Sequence, residues 1–164
     1  MSDTAPFDRR DLEFLLYAVQ DAAGLCRHPR FAGHSRDTFD AAMDAAQALA
    51  LARFANHNRA SDVCEPRFVD GRVEIIPDVK AALDAYADAG FPALLADEDE
   101  GGLQLPYTIA LACDAMFVAA NVSTAGYALL ARGVANLLQA HATPEQCARY
   151  RTPILQGRLW ARCA

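Results

Sequence analysis

The sequence predicts an all-α fold, a bundle of about six helices packed by their apolar faces. Three observations lead there. Apolar residues recur at helical spacing in one segment after another. Alanine, the best helix former and small enough for close packing, fills many of those segments. Strand-like signals are confined to one short stretch around Asp70-Gly71. At 164 residues the length suits one domain with a core of its own.

The first helix is expected over 11–25, where Leu12, Leu15, Leu16 and Val19 share a face and Gly24 offers a stop. The second, over 37–55, carries Phe39, Met43, Ala46, Leu49, Ala50 and Phe54. Pro66, the Asp70-Gly71 turn and alternating Val73 and Ile75 then predict a loop with a short hairpin. A helix restarts at Pro77-Asp78 and runs through Val79, Leu83 and Tyr86 to Gly90. An irregular segment, FPALLADEDEGGLQLP, follows it.

The stretch 106–141 is apolar, but Asp114 and Arg132 interrupt it, and Asn121, Ser123, Thr124 and Gly126 divide it. Neither half supplies the roughly 18 clean apolar residues of a membrane span. Two buried helices joined by a short turn are predicted instead. Ser123 or Thr124 caps the second, which carries Tyr127, Leu130, Val134, Leu137 and Leu138. Thr143-Pro144-Glu145-Gln146 has a capping threonine, proline at the first helical position and glutamine at the third. That is a strong helix start.

Composition narrows function by exclusion. Hydrophobic residues make up 53% and charged residues 22%, which suits a folded globular chain. The net charge of −6, with basic residues scattered singly, argues against nucleic acid and anionic membranes as partners. Five cysteines without a CxxC spacing, and an N-terminus without an apolar h-region, point to reduced thiols in a cytoplasm. Cys113, in an apolar run, reads as a small buried hydrophobe.

Candidate chemical groups are few. Asp97 to Glu100 are contiguous, and contiguous side chains cannot converge on one cation, so a solvated charged loop is expected. His28 and His34 lie near Cys26, but no second cluster completes a zinc site. No G-x-S-x-G, P-loop or G-x-G-x-x-G is present.

A string of segments carries more. NRASD at 58–62, DGRVEIIP at 70–77, AYADAGFPAL at 85–94 and EGGLQLP at 100–106 occur in order. ANVSTAGY at 120–127 and AHATPEQCARYRTPILQG at 140–157 follow. Together they resemble the N-terminal helical domain of bacterial FAD-dependent acyl-CoA dehydrogenases, over residues 1–158. Two departures stand out: the family favours glycine where Gln104 and Ala142 stand, and Ala142 would strain its turn at positive φ.

The resemblance implies flavoproteins that oxidise acyl-CoA thioesters between the α and β carbons. A glutamate removes the α-proton while the β-hydride passes to FAD. That glutamate and most FAD contacts belong to a central β-domain and a C-terminal helical domain. No counterpart to these domains is found in the sequence, so no catalytic, cofactor-binding or metal residue is assigned. The 164 residues alone are expected to bind no FAD and to be inactive. The resemblance implies that the acyl chain lies beside the start of the last long helix, with Gly126, Leu129 and Leu130 as lining candidates. Exposed apolar faces over 108–139 would pack on the other domains, or associate with further copies. The competing expectation is a stand-alone helical binding module.

Residues 159–164 fall outside the resemblance and are too short for another packed element. Where the family continues into a strand reading roughly G-T-M-C, this chain reads Trp160-Ala161-Arg162-Cys163-Ala164. Codons for those residues, read from the third base, can encode Gly-Thr-Met-Cys. A frameshift near Leu159 in a longer parent gene is therefore expected.

Overall fold

The computed structural model describes residues 6–160. They form the expected all-α arrangement with one small hairpin. Helix α1 (Arg9–Glu13) starts at Asp8, whose carboxylate accepts from Arg10 N at 2.9 Å, and runs on through a π-helical segment, Phe14–Val19. The predicted helix over 11–25 is broken here. Asp21 takes the left-handed conformation (φ +47), which no α-ladder tolerates, and a 3-10 segment (Ala22–Arg27) follows. The break lies at Asp21, and Gly24 is not the stop.

Helix α2 (Arg36–Leu49) begins with a reciprocal capping box between Ser35 and Thr38 and continues through a π-helical turn, Ala50–Phe54. It buries Phe39, Met43, Ala46, Ala50 and Phe54. A 3-10 turn (Ala55–His57) leads into α3 (Asn58–Val63). Strands β1 (Arg67–Val69) and β2 (Arg72–Glu74) pair antiparallel with Phe68 opposite Val73, on an exposed hairpin. Asp70 and Gly71 both have positive φ, as a type I′ turn requires.

Helix α4 (Pro77–Asp88) buries Val79, Ala82, Leu83 and Tyr86 and ends before Gly90, at φ +80. The segment 91–106 is irregular but anchored. Asp97 pairs with Arg30, and Glu100 receives both guanidinium nitrogens of buried Arg151. Part of the acidic run is thus tied to the bundle, where a purely solvated loop was expected. Gln104 adopts φ +48, so the glycine the resemblance favours there answers to backbone geometry. Ala142, at φ −90, carries no such strain.

Helices α5 (Tyr107–Ala120) and α6 (Val122–His141) are separated by Asn121 alone. Helix α7 (Pro144–Gln146) has the predicted capping box, with Gln146 N donating to Thr143 Oγ1 at 3.3 Å. A π-helical turn (Cys147–Arg151) joins it to α8 (Thr152–Leu155). The core centres on α2, α4 and α5, where Phe117 lies 4.9 Å from Phe54 and 5.0 Å from both Tyr86 and Phe91, ring to ring. Cys113 is fully buried there.

Beyond α8 the chain folds back. Pro153 O accepts from Arg158 N at 2.8 Å and Leu159 N at 3.2 Å. Trp160 packs edge-on to Tyr86 at 6.2 Å, so Leu159 and Trp160 hold defined places although no packed role was expected of them. Ala161 to Ala164, the rest of the departing tail, lie outside the described residues, as does Cys163. Among the described residues no helix is long and apolar enough to cross a membrane.

Candidate functional site

The site is built by a polar joint beneath the start of α6. Asn121 is extended (φ −163), and its Oδ1 accepts from Thr124 N at 3.0 Å, capping the helix. The predicted caps, Ser123 and Thr124, already lie inside α6. Asn121 wins because it also reaches backwards, donating Nδ2 to Phe54 O and to Ser61 Oγ, both at 3.2 Å. Ser61 in turn donates to His57 O at 2.9 Å. The buried His57 ring bridges Asn56 Oδ1 at 2.9 Å and Thr124 Oγ1 at 2.8 Å. Five polar side chains are thereby satisfied, and α6 is pinned to α3 at a fixed angle.

This joint leaves a groove of about 430 Å³ between α3, the hairpin exit and α6. Ile75, Ile76 and Val79 form one wall; Gly126, Tyr127 and Leu130 form the other. Ser61, Cys64, Pro66 and Ser123 close the end nearest the joint. Its size and apolar lining fit a small-molecule chain. No lining residue is a carboxylate, histidine, lysine or arginine, so the groove can hold an apolar group but offers no charged side chain.

Two of the three lining candidates, Gly126 and Leu130, are on this groove. Leu129 is not: one residue along a helix turns the side chain about 100°, and it faces Tyr86, Asp114, Phe117 and Ala125 in a crevice with no room for a ligand. The groove's other wall was missed because it comes from α3 and the hairpin exit, some fifty residues earlier. The Asn121 joint ties the start of α6 to Ser61 of α3, a contact that the spacing around Gly126 does not reveal.

Behind α6 lies a buried ion pair. Arg132 Nη1 donates to Asp114 Oδ1 at 3.0 Å, and Nη2 donates to Oδ2, a bidentate contact linking α5 to α6. Burial pushes the Asp114 carboxyl above its ordinary range, while Arg132 pulls it back. Burial also raises the Tyr86 phenol and pushes the Cys113 thiol up to about 12, so neither is a nucleophile near neutrality. Among the described residues no group of three or more His, Cys, Asp or Glu side chains could hold a metal ion. Set against protein-family models and curated proteins, the chain matches none.

Proposed function

We propose that the chain is an N-terminal helical domain of the FAD-dependent acyl-CoA dehydrogenase type, and that the groove at Gly126 and Leu130 covers the acyl chain. The observation that supports this reading most is the groove itself. It is largely apolar, of a size for a short acyl chain, and lined by no carboxylate or histidine where the resemblance calls for a chain-covering wall and no base. Bound FAD would accept the hydride. The groove offers no cation for a pyrophosphate, so no flavin site is proposed on these residues, and dehydrogenation is not proposed for the 164 residues alone.

Exposed apolar side chains along α5 and α6 (Tyr107, Leu111, Val122, Leu130, Val134, Leu137) belong to the same reading. They would pack on further domains of the enzyme, and in the isolated chain on other copies.

Cys64 provides the test, because it lies exposed on the groove's rim. Octanoyl-CoA should slow alkylation of Cys64 by iodoacetamide, while CoA alone should not. Equal rates with and without octanoyl-CoA, or equal protection by CoA, would overturn the proposal.

A further inference from the structure

A second groove, of about 540 Å³, lies beyond Ile75 and Tyr127 from the first, between α4 and the chain after α8. Its apolar surfaces come from Ile75, Leu83, Leu159 and Trp160. Three charged side chains line it, the cations Lys80 and Arg158 and the carboxylate Asp84, and the two cations differ in one respect. Lys80 is paired with Asp84 one turn along α4. Arg158 has no carboxylate partner among the described residues and donates only to the neutral Gln156 amide oxygen.

The wall that carries Arg158 is held in place. Gly157 has φ +67, and a Cβ there would lie 2.2 Å from Ala87 Cβ, so the chain presses directly on α4 at this point. With the paired bonds to Pro153 O and the Trp160 contact on Tyr86, the turn presents Arg158 from a fixed backbone.

We propose that this groove binds an amphipathic monoanion, an alkyl carboxylate whose head meets Arg158 and whose chain lies on Leu83, Leu159 and Trp160. One planar guanidinium matches one carboxylate. A dianionic phosphate would need a second free cation, and Asp84 already occupies Lys80. This site is separate from the acyl-covering groove and does not depend on that assignment.

Trp160 is the only tryptophan, so its fluorescence reports on this groove alone. Titration with decanoate, below its micelle concentration, should give a saturable change in Trp160 emission. Decanol should bind about tenfold or more weakly, the loss of one charge-assisted contact. Arg158→Gln should erase the difference between the two ligands, and Arg158→Lys should restore part of it. Because Arg158 is exposed, both variants should fold. No saturable emission change with decanoate would overturn the proposal, as would equal affinity for decanol or unchanged selectivity in Arg158→Gln. Octanoyl-CoA protection of Cys64 should be unchanged in Arg158→Gln, because Arg158 lines only the second groove, which separates this outcome from failure of the acyl-covering groove.

Discussion

Helices α5 and α6 follow one another with a single residue between them, yet they bury opposite kinds of side chain. Helix α5 turns most of its large residues inward: Ile109, Met116 and Phe117 are each at most 2% exposed, and only Tyr107 and Leu111 face out. Helix α6 turns its small ones inward, burying Thr124, Ala125, Ala128, Ala131 and Ala135. Its large residues face out, with Leu130 at 41%, Val134 at 38% and Leu137 at 60% exposed. Alanines let α6 lie close on its neighbours, and its leucines are left to make a groove wall and an unpartnered face. Helix α5 fills the core with large side chains, and α6 keeps most of a row of them exposed.

That contrast can be broken most forcefully at the core. Phe117→Ala should cost about 3–5 kcal/mol in urea unfolding, because it empties the middle of the aromatic cluster. Leu137→Ala should change stability by no more than about 0.5 kcal/mol. Similar costs at the two positions would dissolve the distinction between the helices. Of the same size is the bridge that joins them. Asp114→Ala leaves Arg132 buried without its partner, a loss of about 3–5 kcal/mol in the same assay.

A further effect should appear in alkali. The folded state raises the Cys113 thiol from 9.0 to about 12, so it favours the neutral form. The resulting stability is fully present below about pH 9 and is lost as pH rises from there to about 12. Over that window the wild type should lose stability more steeply than Cys113→Ala, and parallel curves would contradict burial of this thiol. A change of opposite sign belongs to α6. Gly133 sits mid-helix, where a Cβ would meet nothing within 4 Å, so Gly133→Ala should stabilise by up to about 1 kcal/mol. Destabilisation would mean that something already lies against this face.

Much of the fold was legible because local signals were strong. The Asp70-Gly71 hairpin, the Pro77 helix start and the Thr143–Gln146 capping box each rest on side chains that act on their own backbone. The break at Asp21 was not legible, since aspartate supports a helix and a left-handed turn alike and only the surrounding packing selects the turn. The inversion of α6 was hidden for a different reason. Its 124, 128, 131, 135 stripe and its 127, 130, 134, 137 stripe are both helical in period, and the larger side chains drew the prediction inward. Of the groove's lining, Gly126 and Leu130 were named as candidates from the resemblance, but Ser61, Cys64, Ile75 and Val79 come from elements far away in sequence, and local spacing carries no sign of that long-range packing.

Filling the groove tests the account most directly. At Gly126, on the groove wall, a Cβ would again meet nothing within 4 Å, so Gly126→Trp can occupy the space without disturbing the core. Octanoyl-CoA protection of Cys64 from alkylation should be lost in Gly126→Trp, while its urea unfolding midpoint does not fall below that of the wild type. Retained protection in a folded Gly126→Trp would contradict the claim that this groove covers an acyl chain.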